Sequence, residues 1–319
     1  MTANIDPKQK LLAGIDRPLR IGTRQSPLAM VQTELAASAI LAAHGWHPDR
    51  VELVPMVATG DKIQDRALAE VGGKALWTKE LDRALHRGEI DCAVHSMKDV
   101  ETVRPDVFTI AAIMERADVH DRIVGTESIA ALPIGAVVGT ASPRRKAQLL
   151  RQRADLDIRL IRGNVQTRLQ KIEDGEFAAT MLAAAGLDRL EMGDIGHKIS
   201  EDVMLPAPAQ GAVGIETLAD DNHVRRLVRE ISCSNTSRAV TAERLFLKEL
   251  TADCHSPVAA LASVEGLETQ LQAEILLPDG SESVRDSSSF ENGDVRAPAR
   301  LAKKMLGRAS PALRAVFGR

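Results

Sequence analysis

A strand-to-helix turn of one pattern occurs twice in this chain of 319 residues. At 22–27 a Gly-Thr pair is followed, after two residues, by Ser-Pro; at 139–143 the same pairs are separated by one residue. An apolar run precedes each glycine, serine is a favoured helix N-cap, and proline is favoured at the first helical position. We interpret these as corresponding turns in two similar lobes.

Both turns lie in a longer alternation of strand and helix signals, which is typical of an α/β fold with parallel strands. Gly45, Gly88 and Gly175 stop three of the predicted helices, and 60–74, with a Gly-Gly pair, is predicted as a mobile loop. Strands are predicted at 17–23, 51–59, 90–96, 108–114, 136–140, 156–163 and the start of 176–186, and helices at 27–44, 78–87, 143–153 and 165–174.

The pattern changes from about Cys233 onward. A helix over 241–250, strands at 258–264, 271–277 and 282–289, and a helix over 298–306 predict a small α+β domain with a three-stranded antiparallel sheet. The Pro/Ala/Gly-rich run at 205–216 is predicted to cross back between the lobes. We therefore expect domain 1 at 17–115 and 212–232, domain 2 at 116–211, and domain 3 at 233–319.

Positive charges collect at the predicted turns although the formal net charge is −3 and the pI about 6.3. A general nucleic-acid surface tends to make a whole domain basic, so this placement favours a polyanion held in a cleft. Cations in a first helical turn also oppose the helix dipole, which suggests an anion between Arg144 and Arg145. The cations concerned are Arg24, Lys98, Arg144, Arg145, Arg162 and Arg168.

Two further features admit a functional and a purely structural interpretation. Lys98-Asp99, directly after a buried strand, forms either a structural ion pair or an acid that accepts ligand N–H groups and stabilises positive charge. Cys254, beside His255, is either a nucleophile or covalent anchor, or simply a small apolar residue. Neither Cys92 with His95 nor Cys254 with His255 is accompanied by a second pair of zinc ligands at a suitable spacing, so no bound metal is expected.

Composition narrows the class of protein. Aromatic content of 2%, with no tyrosine, argues against stacking platforms for single-stranded nucleic acid. No apolar run is long enough for a transmembrane helix, and the first residues lack the apolar core of a signal peptide. Three cysteines fit a reducing compartment. We expect a cytoplasmic protein with no nucleic-acid or membrane partner.

The motifs RIGTRQSPLA, VGGKALWTKELD, AVHSMKDV, GTASPRR, IRGNVQTRL, AAAGLDRL and PAPAQGAVGIE, with the late Cys254, together resemble the porphobilinogen deaminase family. The resemblance runs from about Arg20 to the end. It implies two lobes like those of type II periplasmic binding proteins and a third domain. It also implies a monomer that condenses four porphobilinogens head to tail into hydroxymethylbilane, in tetrapyrrole (haem) biosynthesis.

The resemblance also implies roles for individual residues. A dipyrromethane cofactor would be joined to Cys254 by a thioether, and Asp99 would be the catalytic aspartate that contacts pyrrole N–H groups. Cofactor contacts are implied for Ser96, Lys98, Thr140, Ser142, Arg144, Arg145, Arg162, Gly163 and Arg168. Substrate contacts are implied for Arg24, Ser26, Trp77, Arg162, Arg168 and Gln210.

Departures from the family pattern concern local geometry and rate. Asp253 beside the thiol should disfavour the thiolate, and a charged His255 could offset this. Glu101 stands where proline is common, and Ala209 replaces a usual glycine. Two alternatives are an anion-binding protein without catalysis, which predicts a secretion signal and no need for Cys254, and a regulatory nucleic-acid binder, which predicts a basic domain or helix-turn-helix segment.

Overall fold

A computed structural model describes residues 17–57 and 78–318. The predicted loop at 60–74 and Trp77 lie outside these ranges. Strands are β1 (Leu19–Arg24), β2 (Val51–Met56), β3 (Cys92–Ser96), β4 (Phe108–Ile113), β5 (Asp121–Val124), β6 (Val137–Gly139), β7 (Asp157–Arg159), β8 (Ala179–Ala183), β9 (His197–Lys198), β10 (Val213–Leu218), β11 (Val258–Glu265), β12 (Glu268–Leu276) and β13 (Ser283–Glu291). Helices are α1 (Pro27–His44), α2 (Lys79–His86), α3 (Pro143–Gln152), α4 (Val165–Glu173), α5 (Ala184–Arg189), α6 (Asn222–Arg229), α7 (Ser234–Leu250), α8 (Ala297–Arg308) and α9 (Pro311–Ala315).

Two five-stranded sheets share one topology. The first has the order β2-β1-β3-β10-β4 and the second β7-β6-β8-β5-β9. In each, the three leading strands are parallel and the last two pairings are antiparallel. The sheets are thus mixed, and the repeated turn marks equivalent strands, β1 and β6. The prediction of two similar α/β lobes is confirmed.

The glycines of the repeated turn sit in equivalent places for a steric reason. Gly22 pairs with β3 and Gly139 with β8 in the same relative register. A Cβ on Gly22 would lie 2.3 Å from the Ile90 side chain, and one on Gly139 would lie 2.9 Å from that of Ile161. Each strand therefore carries, near its carboxyl end, a residue without a side chain, which lets the neighbouring segment pack close.

Three sequence-based expectations need correction. Residues 213–218 of the predicted crossing form β10, an inner strand of the first sheet, and only the part before it crosses. Strands β5 and β9 and helix α6 were not predicted, because β5 and β9 are short and carry charges. Helix α7 begins at Ser234, well before the predicted start at Thr241.

The third unit is the predicted antiparallel sheet, β11-β12-β13. Helices α7, α8 and α9 bury an apolar face against it, with Phe246, Leu250 and Met305 fully buried in the shared core. No helix within 17–57 and 78–318 is long and apolar enough to cross a membrane.

Candidate active site

A cavity of about 690 Å³ lies where both lobes and the third unit meet. Its wall combines the turn after β1, the segment after β3, the starts of α3 and α4, and the loop between α7 and β11. Most of the predicted site residues line it: Arg24, Ser26, Ser96, Lys98, Asp99, Ser142, Arg144, Arg145, Arg162, Gly163, Arg168, Gln210 and Cys254.

Capping side chains hold the helix starts toward this cavity. Ser26 Oγ accepts a hydrogen bond from the Ala29 amide, and Ser142 Oγ accepts one from the Arg145 amide, both at 3.4 Å. Thr140 is not part of the wall; its hydroxyl accepts the Ser142 amide at 3.1 Å and so braces the turn. These hydroxyls satisfy backbone donors that a helix end leaves unpaired.

The anion expected between Arg144 and Arg145 is present, and it is a protein carboxylate. Asp121 is buried at the start of β5, with one oxygen 2.8 Å from Arg144 and the other 2.7 Å from Arg145. Burial alone would raise the pKa of Asp121, but the two guanidinium groups hold it well below its usual range. Much of the hydrogen-bonding capacity of these arginines is therefore used inside the protein.

Gln210 belongs to the same buried cluster. Its amide nitrogen donates to Asp121 Oδ1 at 2.9 Å and to the Val119 carbonyl at 2.8 Å. Its amide oxygen is buried and has no hydrogen-bond partner within the described residues. An amide oxygen accepts hydrogen bonds, so Gln210 can receive a pyrrole N–H but has no spare donor for a carboxylate.

Lys98 and Asp99 behave differently from that cluster. They form a short 3₁₀ turn after β3, and neither side chain makes a hydrogen bond or ion pair with a described residue. Desolvation lowers the pKa of Lys98 to about 8, with Arg145 adding to the shift and the Asp99 carboxylate opposing it. A cation and a carboxylate thus face the cavity with capacity for a ligand.

Arg168 lies close to other cations of the cavity wall. Its Nε donates to the Gly163 carbonyl at 3.1 Å, and its side chain is half-buried at the start of α4. The pKa of Arg168 is lowered to about 10, mainly by desolvation and also by the like charges of Arg145 and Arg162, which disfavour its cationic form. Gly163 has φ +107°, and a Cβ there would lie 2.7 Å from Thr167.

Cys254 is exposed at the cavity wall, in the loop between α7 and β11. Its surroundings raise the pKa of the thiol to about 12 through desolvation and through the carboxylates of Asp99 and Asp253. The predicted effect of Asp253 is confirmed. Asp253 also accepts the His255 amide at 2.9 Å, which shapes the loop.

Sequence analysis missed the contacts that join the Asp99 segment to the Cys254 loop. Thr102 Oγ1 donates to the Ala252 carbonyl at 2.7 Å. Arg244, on α7, donates to the carbonyls of Val100, Glu101 and Thr102 at 2.5–3.2 Å. A threonine and an arginine on separate elements gave no local pattern from which this clamp could be predicted.

Glu243, also missed, is a fully buried carboxylate at the junction of the three units. It accepts the backbone amides of Ala209 and Ala262 at 2.5 and 2.7 Å and pairs with Arg116 at 2.6 Å. Ala209 adopts φ +61°, a left-handed conformation that favours glycine. This conformation explains why glycine is the usual residue at this position in the family that the sequence resembles. Glu243 therefore anchors the crossing segment to the third unit.

Fold and site together define a two-lobed protein with a cation-lined cavity beside an accessible cysteine. A family model for the porphobilinogen deaminase dipyrromethane cofactor binding domain matches residues 19–226, and one for the C-terminal domain of the same family matches 237–307. The chain belongs to the porphobilinogen deaminase family, whose role is tetrapyrrole synthesis.

Two relatives named porphobilinogen deaminase support this assignment. The chain is 53% identical to a porphobilinogen deaminase of Sphingopyxis alaskensis, covering 96% of this chain and 98% of the relative. It is 45% identical to one of Paracoccus denitrificans, over 92% and 95%. The VFT2 domain of Bordetella pertussis BvgS aligns with a TM-score of 0.42 at 13% identity, over 74% of this chain and 95% of that one. The fold assignment rests on the sheet topology and not on this last likeness.

Proposed function

We propose that this chain joins four porphobilinogen molecules head to tail, releasing ammonia at each step and hydroxymethylbilane at the end. In chemical terms it is a transferase that forms carbon–carbon bonds. The observation that carries the proposal is that one cavity brings the cations of Lys98 and Arg168 together with Asp99 and Cys254.

The cavity residues fit a dipyrromethane cofactor. Each pyrrole carries an acetate and a propionate, so two linked rings present carboxylates that need cations to leave water. Lys98 and Arg168 meet that need, because neither has an acidic partner within hydrogen-bonding distance in the described part of the chain. Cys254 is the accessible cysteine in this wall and would hold the group through a thioether.

When bound, the dipyrromethane would supply a terminal ring with a free α-carbon, the nucleophile to which each substrate is joined. Asp99 accepts N–H bonds from the incoming pyrrole and stabilises the positive charge that forms when the substrate's aminomethyl nitrogen leaves as ammonia. Each addition would break the carbon–nitrogen bond of the substrate's aminomethyl group, form a carbon–carbon bond and release the proton of the attacking α-carbon. Water ends the sequence after four additions.

The protein residues divide this work by charge. Lys98, Arg168 and Arg162 hold substrate and chain carboxylates, and each charge-assisted hydrogen bond contributes roughly 1.5–3 kcal/mol. Arg144 and Arg145, tied to Asp121, keep the start of α3 rigid and turn residual positive potential toward the cavity. Arg24 and Ser26 supply the opposite wall, where a substrate carboxylate can bind.

The high pKa of Cys254 constrains how the anchor forms. A thiol with a pKa near 12 is almost entirely protonated at neutral pH, so it is a poor thiolate nucleophile. Attachment therefore requires a strongly electrophilic pyrrole methylene. The same carboxylates of Asp99 and Asp253 that raise this pKa favour a cationic electrophile beside the sulfur. The thioether, once formed, carries no charge that they could repel.

Turnover with purified protein tests the proposal. Incubation with porphobilinogen should release ammonia in step with substrate loss, and rapid quenching should yield a linear four-ring product. Asp99→Asn should lose nearly all of this activity, whereas Asp106→Asn, at an exposed site off the cavity, should retain it. Absence of ammonia release from folded wild-type protein would contradict the proposed reaction. We further propose a cytoplasmic monomer with a small-molecule substrate as its partner.

A further inference from the structure

A second cavity, of about 760 Å³, lies on the other side of the catalytic segment. Edge strand β4 forms its floor, and helices α6 and α7 pack against that strand and form its sides. Met97 and Arg244 line both cavities, so only the segment carrying Lys98 and Asp99 separates them. Nothing in the proposed reaction uses this second space.

Its charge is strongly one-sided. Five arginines line it, Arg225, Arg226, Arg229, Arg238 and Arg244, and no aspartate or glutamate lines it within the described residues. None of the five forms an ion pair with a described acidic residue. Arg225 and Arg238 contact only the Ala219 carbonyl and the side chains of Asn222 and Asn235.

Three of these arginines, Arg225, Arg226 and Arg229, lie on α6 and the other two lie on α7, and unneutralised cations lining one cavity repel one another. Arg225 and Arg229 lie four residues apart on α6, where like charges destabilise a helix. Arg226, Arg229 and Arg238 are exposed and have no acidic partner among the described residues, whereas the buried Arg144 and Arg145 are paired with Asp121. A bound anion would relieve the repulsion at α6.

The rest of the lining indicates what kind of anion fits. The floor is apolar, formed by the half-buried Ile110 of β4 with the buried Ala112 and Ile113 of β4 and Val240 of α7 behind it. Hydroxyls of Ser234, Ser237 and Thr241 stand among the arginines and can donate to carboxylate oxygens. An apolar floor below a cationic rim suits a ligand with flat rings and several carboxylates, and arginine forks match carboxylates in bidentate geometry.

We propose that this cavity is a second binding site, for a pyrrole polycarboxylate of the same class as the released product. The identity of the ligand rests on the proposed function, while the anion site itself rests on the arginine lining. The ligand's rings lie on β4, and its carboxylates are held by Arg226 and Arg229 of α6 and by Arg238 of α7.

Calorimetric titration of cofactor-loaded protein with uroporphyrin I, a stable four-pyrrole ring that carries eight carboxylates, tests the site. Arg226→Gln/Arg229→Gln removes two exposed cations outside the reaction cavity and should weaken this binding by about tenfold or more. Arg296→Gln/Arg314→Gln, matched in charge and off both cavities, should change it by less than about twofold. Arg24→Gln, in the first cavity, should retain it.

The outcomes separate this site from the proposed reaction. Ammonia release by Arg226→Gln/Arg229→Gln should match wild type, because the variant leaves the reaction cavity intact, and its melting curve checks the fold. Uroporphyrin affinity unchanged in that variant, or lost in Arg24→Gln instead, would overturn the site. Binding of tripolyphosphate in place of uroporphyrin would overturn the assignment to carboxylates. If wild-type protein releases no ammonia but still binds uroporphyrin in a way that depends on Arg226 and Arg229, the result counts against the proposed reaction and not against the second site.

Discussion

The two lobes share one topology but use charge in opposite ways. In the second lobe Arg144 and Arg145 share the Asp121 carboxylate, so both cations at that helix start are paired inside the protein. In the first lobe Lys98 and Asp99 follow β3, whose counterpart in the second sheet is β8, and they face the cavity with no hydrogen-bond partner among the described residues. Charge that is paired internally supports the fold, and charge left without a partner is available for a ligand.

Replacement of Asp99 should produce the largest effect on activity. Asp99→Asn removes the carboxylate that would stabilise the cationic substrate, and loss of one preorganised electrostatic group costs about 10²–10³-fold in turnover. Because Asp99 makes no hydrogen bond or ion pair with a described residue, the free energy of unfolding should change little. Steady-state kinetics and urea unfolding together check this, and a variant that is strongly destabilised would show that Asp99 has a structural role.

Asp121 should show the reverse pattern. Asp121→Asn leaves two buried guanidinium groups without their counter-ion, and breaking a buried ion pair costs about 3–5 kcal/mol of the free energy of unfolding. Denaturant unfolding measures it. Asp155→Asn, at an exposed ion pair with Arg153, is the matched control and should change stability far less. Equal effects of the two substitutions would mean that Asp121 is not the buried counter-ion that holds α3.

Lys98 predicts a pH dependence of substrate capture. The free enzyme's Lys98, with a pKa of about 8, loses its proton as the pH rises through 8, and with it the charge that holds a carboxylate. We expect kcat/KM for porphobilinogen to fall by about ten- to a hundredfold above that pH. In Lys98→Arg the side chain stays protonated, so the fall of kcat/KM above pH 8 should disappear. If kcat/KM of Lys98→Arg falls at the same pH as that of wild type, the fall is caused by the titration of another group.

The clamp between the Asp99 segment and the Cys254 loop should have a smaller effect. Thr102→Val leaves the Ala252 carbonyl without its donor, at a cost of about 1 kcal/mol. Turnover should fall several-fold with KM nearly unchanged, because the carboxylate sites are intact while Asp99 shifts relative to Cys254. Thr102→Ser restores the hydroxyl and should restore turnover. If Thr102→Ser behaves like Thr102→Val, the hydrogen bond does not position Asp99.

Ala209 should give the smallest change. The φ of +61° at Ala209 costs an L-residue about 1–2 kcal/mol. Glycine removes this cost, but its larger conformational entropy in the unfolded state offsets part of the gain in stability. Ala209→Gly should therefore raise stability by up to about 1 kcal/mol without changing turnover. Gly211→Ala is the contrasting substitution and should destabilise, since its Cβ would lie 2.5 Å from the Ala117 carbonyl oxygen. Thermal melts of both variants give the comparison.

Local signals in the sequence predicted what local physics determines. The repeated Gly-Thr and Ser-Pro pairs predicted equivalent strands and capped helices, since caps and close glycine contacts act within a few residues. Asp121 was missed because its partners, Arg144 and Arg145, are more than twenty residues away in the chain. The antiparallel position of β10 was missed for a similar reason: a Pro/Gly-rich approach hides a strand whose neighbours come from much earlier in the chain.

The site was predicted as a set of residue types and not as an arrangement of charges. Sequence motifs pointed to Lys98, Asp99, Arg168 and Cys254, and the structure brings them to one cavity. Which cations are already neutralised could not be predicted, because it depends on long-range pairing with Asp121. The role of Trp77 stays a prediction.

Intact mass of the purified protein tests the central claim most directly, namely that the cavity holds a polypyrrole joined to Cys254. Wild-type protein should carry the added mass of two pyrrole rings, and peptide mapping should locate it at Cys254. Cys233→Ser, at a cysteine outside the reaction cavity, should keep the addition, and Cys254→Ser should lose it together with turnover. An unmodified mass in an active wild-type preparation would contradict the account.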